Sequence, residues 1–121
     1  MGDKEKQELR TRTKSFALRI IRLYVGLPKA TQAQVLGKQA LRSGTSVGAH
    51  YREACRAKSD ADFINKMEGG LQELDETAYW LELLVESKII REEKLAPLMK
   101  ETDELIAIFV TIVTNLKRKA L

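Results

Sequence analysis

The 121-residue chain predicts an all-α fold: an antiparallel up-down-up-down four-helix bundle. Three observations lead there. Apolar residues recur at alternating steps of three and four along four separate stretches, which is the period of one helix face. A composition of 44% apolar and 31% charged residues carries only two prolines and seven glycines, and is rich in the good helix formers Ala, Leu, Glu, Lys and Arg. The connections between stretches are short, and seams of similar length joined in this way fold back as neighbours. A chain of this size is expected to form one domain with a single continuous core.

The first helix is expected over 8–26, with Leu9, Thr13, Phe16, Ile20, Leu23 and Leu27 on one face. Gly26 suits a left-handed cap, and Pro28 disfavours helix at Leu27, so the chain turns there. The second helix is expected over 31–57, opening where Thr31 and Gln34 have the spacing of a capping box. Inside it lies the run Arg42-Ser43-Gly44-Thr45-Ser46-Val47-Gly48-Ala49. A helical glycine costs about 1 kcal/mol relative to Ala, so this run needs an offsetting reason. Ala40, Gly44 and Gly48 lie four apart and stack on one face, where a neighbouring backbone could come close. The alternative is a loop that divides the helix in two, although no Pro or Asn-Gly turn marks one.

The third helix is expected over 60–87, capped by Ser59 with Asp62 three positions on, and its acidic first turn complements the helix dipole. Phe63, Met67, Gly70, Leu74, Thr77, Leu81 and Leu84 form its seam. Gly69-Gly70 reads either as a second place of close approach or as a local weakness. The fourth helix is expected over 91–119, with Leu98, Thr102, Leu105, Phe109, Ile112 and Leu116 as its seam and Pro97 near its start. Its last turn, Lys117-Arg118-Lys119, favours the dipole. Tyr79, Trp80, Leu83, Leu84, Ile106, Ile108 and Val110 widen the apolar faces beyond one seam, which argues for self-association.

Charge is unevenly distributed. Residues 1–58 carry a net +9, residues 60–87 carry −7 and the remainder +2. A basic half suits a nucleic-acid partner, or head-to-tail self-association as a scaffold, in which one subunit's acidic third helix meets the next one's basic helices. The candidate phosphate contacts are Arg12, Arg19 and Arg22 on the first helix, Lys38, Arg42, Arg52 and Arg56 on the second, and Lys117, Arg118 and Lys119 at the end. The plainer reading is neutralisation between neighbouring helices. Tyr24 and Tyr51 could stack on unpaired bases, but aromatics at helical spacing are more often core. The single cysteine, the lack of a signal-peptide pattern and the lack of a long apolar run point to a cytoplasmic protein outside the membrane.

Reactive constellations are sparse. A di-iron bundle needs Glu-x-x-His on two helices, and this chain has one histidine, His50, with Glu53 in the reversed order. That pair reads as a structural polar contact. Cys55 lies five positions from His50, about 140° around a helix, too far round for a catalytic dyad. No catalytic residue, metal, cofactor or small-molecule substrate is identified, and the expectation is a protein that is not an enzyme.

Three segments carry a resemblance: Arg42-Ser-Gly-Thr-Ser-Val-Gly-Ala-His-Tyr-Arg-Glu-Ala54, then Ser59-Asp-Ala-Asp-Phe-Ile64, then Glu73 to Leu83. Together they resemble the bacterial four-helix bundle family whose members are encoded in intervening sequences of 23S ribosomal RNA genes. The likeness spans about Ser15 to Leu116. It implies a ring-like homopentamer without catalytic activity, and a relation to the accessory protein of diversity-generating retroelements, a basic pentamer that associates with nucleic acid. RNA or a ribonucleoprotein is then the expected partner besides the chain itself. Arg42, Ser46, Glu53, Asp62 and Phe63 match the family pattern. Many members carry Asn-Ile-Ala-Glu-Gly after the Ser-Val/Ile step, whereas this chain has Gly48-Ala49-His50-Tyr51-Arg52-Glu53-Ala54, which marks a variant branch. Ala40, Gly44, Ser46, Gly48, Glu53, Asp62, Phe63, Tyr79 and Trp80 are the candidate packing and interface positions.

Overall fold

A computed structural model describes residues 1–120, and these fold into four helices: α1 (Asp3–Val25), α2 (Thr31–Cys55), α3 (Asp60–Glu86) and α4 (Glu92–Ala120). No strand is present among the described residues. The small-residue run is continuous helix, so the loop alternative falls.

Helix ends depart from expectation where local chemistry outweighs apolar pattern. α1 begins five residues before position 8, because Asp3 and Glu5 occupy its first turn and complement the dipole without any apolar residue. α2 ends two residues early, at Cys55. Its expected capping box does not form: the Ala30 cap position makes no side-chain bond. Gln34 is recruited elsewhere, donating to the Pro28 carbonyl at 2.8 Å and accepting from the Tyr24 hydroxyl at 3.0 Å. At α3 the cap forms, with the Asp62 amide donating to Ser59 Oγ at 3.1 Å and the Asp62 carboxylate accepting from the Lys58 amide at 3.3 Å. Pro97 lies inside α4, about one turn from its start.

Lys88 closes α3. It holds a left-handed backbone (φ 63°), its amide donates to Val85 O at 2.9 Å, and the Ile89 amide donates to Leu84 O at 3.1 Å. These two bonds form a Schellman motif in which a lysine occupies the position that favours glycine.

The core joins Phe16 and Ile20 of α1, Val47 and Tyr51 of α2, Met67, Leu74, Leu81 and Leu84 of α3, and Leu105 and Phe109 of α4, all fully buried. Each helix also buries one hydroxyl: Thr13, Ser43, Thr77 and Thr102. Thr13 and Thr102 donate to carbonyls one turn back, Leu9 O and Leu98 O. Ser43 Oγ and Thr77 Oγ1 meet across α2 and α3 at 2.8 Å, and each also lies within reach of its own helix carbonyl, Gln39 O and Glu73 O. With one proton apiece, one hydroxyl donates across while the other donates back.

The helices pair in chain order, α1 with α2, α2 with α3 and α3 with α4, and α1 meets α4 only sparsely. Contacts fix the register. Thr13 meets Gly48, Ile20 meets Gly44, and Tyr24 and Leu27 meet Gly37. His50 meets Gly69 and Phe109 meets Gly70. Among the described residues no helix is long and apolar enough to cross a membrane.

Candidate nucleic-acid interface and the small-residue seam

Small residues on α2 exist so that α1 can approach. A Cβ added at Gly44 would lie 2.7 Å from Ile20 Cγ1 and 3.0 Å from its Cγ2, and one at Gly48 would lie 3.3 Å from Thr13 Oγ1. Gly37 extends the row, since a Cβ there would collide with Leu27 and reach within 3.0 Å of Tyr24. Ala40 is buried in the same row. These positions therefore pack the protomer's own interior. Ser46, half-buried, turns its hydroxyl back to Arg42 O at 2.7 Å.

On α3 the glycine pair receives two side chains. Gly69 accepts the His50 ring, a Cβ there lying 2.9 Å from Nδ1, and Gly70 accepts Phe109, with Cε2 at 2.8 Å. The pair is a place of close approach, not a weakness. The expected His50–Glu53 hydrogen bond is absent: Nδ1 and Oε2 are 3.7 Å apart, too long for one. Nδ1 is buried without a partner among the described residues. Five residues away, Cys55 is half-buried and free. Burial in the core raises the Tyr51 phenol above its ordinary range, with a contribution from Cys55, and the Tyr51 hydroxyl donates to Lys6 O at 3.2 Å.

The ten candidate cations do not share one stripe. Three are engaged by carboxylates. Arg12 grips Glu101 in two-pronged fashion, Nε–Oε2 at 2.8 Å and Nη2–Oε1 at 2.7 Å, and reaches Glu104 at 3.0 Å. The Glu101 hydrogen bonds raise the Arg12 guanidinium above its usual range, and the same contact lowers the Glu101 carboxyl. Arg42 bridges to Glu76 and Glu73 of α3, Glu76 being the main cause of its raised pKa. Lys117 pairs with Glu68 at 3.4 Å. For these residues the neutralisation reading holds.

The other seven make no ion pair among the described residues, and they divide by position. Arg52 and Arg56 are exposed at the C-terminal end of α2. A cavity of about 660 Å³ lies at that end of the molecule, lined by Cys55, Lys58, Phe63 and Lys119. Arg118 and Lys119 are exposed there on α4, so four basic candidates gather at one end. Lys38 is exposed further along α2. Arg19 and Arg22 line a different cavity, toward the C-terminal end of α1.

Of the remaining candidates, Glu53 is exposed, Asp62 serves the α3 cap, and Phe63 is half-buried in the cavity lining. Tyr79 is 53% exposed and stacks at an angle on half-buried Trp80, their centroids 5.1 Å apart. The Trp80 indole nitrogen is buried without a partner among the described residues. Among the residues noted for excess apolar surface, Val110 is 44% exposed while Leu84 is fully buried. The ion-pair bridges and the Ser43–Thr77 contact were missed from the sequence because their partners are distant along the chain. Gly37 was legible, seven positions before Gly44.

A four-helix α protein with a glycine-lined interhelical seam and separate clusters of cations unpaired among the described residues belongs to the class of helical bundle proteins. A family model for the 23S rRNA-intervening sequence protein matches residues 5–111. The chain belongs to that family. Its fold is also similar to the crystal structure of a protein of unknown function from the S23 ribosomal protein family of Bacteroides thetaiotaomicron VPI-5482, with 41% identity over 86% of this chain and 96% of that one, and a TM-score of 0.81. No functionally curated protein matches the chain.

Proposed function

We propose that the protein is a non-enzymatic, cytoplasmic bundle that binds RNA or a ribonucleoprotein through a basic surface on α1 and α2 and the C-terminal cations. The observation that carries this reading is the gathering of Arg52, Arg56, Arg118 and Lys119, all exposed and unpaired among the described residues, at one end of the molecule. The family's name, with its reference to 23S rRNA, agrees with it. Phosphate neutralisation would drive the binding, so affinity falls steeply as salt rises. The test is fluorescence anisotropy with a labelled structured ribosomal RNA fragment over a salt series. Wild type should bind with a marked salt slope, and Arg52→Glu/Arg56→Glu should lose most of the affinity. Salt-independent binding, or none, ends the proposal.

A second reading has its own support. Contacts such as Thr13 with Gly48, Ile20 with Gly44, and His50 with Gly69 support an antiparallel up-down-up-down bundle. Leu18, Ile21 and Val25 are exposed at 43%, 40% and 75% on one outward face of α1. Such a stripe suits a ring-like homo-oligomer, a pentamer in the family resemblance, acting as a scaffold or protein-interaction module without nucleic acid. Leu18→Glu/Ile21→Glu should dissociate the assembly in light scattering. If RNA binding then disappears with assembly while Arg52→Glu/Arg56→Glu leaves it intact, the basic end is not the contact.

A further inference from the structure

The α1–α4 seam holds a compartment apart from the basic end that carries the RNA reading, although two of its cations, Arg19 and Arg22, are α1 candidates in that reading. It has a volume of about 590 Å³ and is built from the C-terminal end of α1, the α1–α2 and α3–α4 connections and the opening turns of α4. Leu23, Leu27, Ile90 and Leu98 furnish an apolar lining. Four cations, Arg19, Arg22, Arg91 and Lys94, line it as well, with no carboxylate in the wall. None of the four forms an ion pair among the described residues, whereas Arg12, further along the same seam, is held by Glu101 and Glu104. Arg91 and Lys94 stand at the start of α4, where the helix dipole opposes a cation and favours an anion. Glu92 and Glu93, exposed in the same turn, do not line the space.

Both ends of the compartment are bounded. On one side the two connections close it. Arg12 and its carboxylates cross the seam two turns before Arg19. From Arg19 to the end of α1 at Val25 the α1 side spans about 9 Å of helix rise, which is short for a through-running helix. Its volume lies within the range of ~300–1,000 Å³ typical of small-ligand sites. Its wall is also deliberate: the left-handed Lys88 turns the chain so that Ile89 and Ile90 cover this end.

We propose that this compartment binds a small anionic amphiphile, a molecule with an apolar body and a carboxylate, sulfonate or phosphate head. The body would lie on Leu23, Leu27, Ile90 and Leu98 while the head meets the four cations. Charge complementarity selects this occupant over a neutral one, since four cations border the apolar lining, three of them solvent-exposed, and among the described residues only Arg19 has a carboxylate, Glu101, near enough to be influenced by it.

The full chain is titrated with 8-anilinonaphthalene-1-sulfonate as the probe, with near-ultraviolet circular dichroism confirming intact packing. Saturable binding is expected, reversed by sodium dodecanoate and not by dodecyl maltoside at the same concentration. Arg91→Ser/Lys94→Ser should weaken the probe about tenfold or more, equivalent to ~1.4 kcal/mol. Lys14→Ser/Lys100→Ser, which removes two exposed cations outside the compartment, should leave it unchanged. Absence of saturable binding, equal displacement by the neutral amphiphile, or an Arg91→Ser/Lys94→Ser variant that binds like wild type overturns the proposal. So does sedimentation showing that these substitutions dissociate the protein without affecting the probe, which would assign the compartment to a second protomer.

Discussion

Substituting Gly44 by Ala tests whether α2 has given up helix propensity for the approach of α1. In isolation the change should stabilise the helix by about 1 kcal/mol. Here the new Cβ lies 2.7 Å from Ile20 Cγ1, 3.0 Å from Cγ2 and 3.2 Å from Cβ, and Ile20 is fully buried. All three atoms belong to the branch point of a side chain stiff at χ1, so a rotamer change relieves little. Overpacking of this kind costs about 1–3 kcal/mol. Gly44→Ala should therefore lose about 1 kcal/mol net, and Gly44→Leu should not fold. In an Ile20→Ala background, itself ~2–5 kcal/mol less stable, both Cγ atoms are gone and only the Cβ at 3.2 Å remains, so Gly44→Ala should stabilise. The sign reversal gives a coupling energy of about 1–3 kcal/mol in a double-mutant cycle. Urea unfolding followed by far-ultraviolet circular dichroism measures it, with all variants compared at one protein concentration. Additive effects, or a Gly44→Ala protein more stable than wild type with Ile20 present, would refute the close-approach argument.

The two α3 glycines should respond differently to Ala: Gly70→Ala, which meets the buried Phe109 ring at 2.8 Å, should cost ~1–2 kcal/mol. Gly69→Ala should stay within about 0.5 kcal/mol, since the half-buried His50 ring can swing aside as helix propensity improves. A thermal-melt order of the reverse kind would contradict both assignments. Lys88→Gly should raise stability by roughly 0.5–1 kcal/mol by relieving the left-handed residue, and an unchanged midpoint would remove the premise of strain. Glu101 titrates below its unfolded value because Arg12 holds its charged form. Its contribution is therefore present above the ordinary carboxylate pKa near 4.3 and is lost as pH falls through and below that value. Denaturation from pH 7 to 3 should show Glu101→Gln losing less stability than wild type, by about 1 kcal/mol after screening at this part-exposed site; parallel curves would argue against the bridge.

The fold was largely legible because core burial imposes a period that survives in sequence. Leu9, Phe16 and Ile20, or Leu98, Leu105 and Phe109, announce their faces. The start of α1 was not, since its first turns carry charge and no apolar residue before Leu9. Thr31 and Gln34 had the right spacing for a cap, yet Tyr24 and the Pro28 carbonyl bind Gln34 from across the turn. The candidate site was harder to read. Helical spacing arranged the cations on faces, but only tertiary pairing decides which are consumed: Arg12 finds its acids 89 and 92 positions away. Arg42 finds its acids on α3. The small-residue row could be read because steric demand leaves its mark directly in residue size.

The loose closure between α1 and α4 bears on how the chain folds. Apart from the reach of Arg12, helices meet mainly their sequence neighbours, so the entropy of bringing distant segments together enters little into assembly. Each hairpin of helices can form from a short connection, which places the protein among low-contact-order domains that fold in microseconds to milliseconds. The Arg12 grip on Glu101 joins the first helix to the last, and such a contact forms after the barrier. Its removal should therefore speed unfolding and leave the folding rate nearly unchanged.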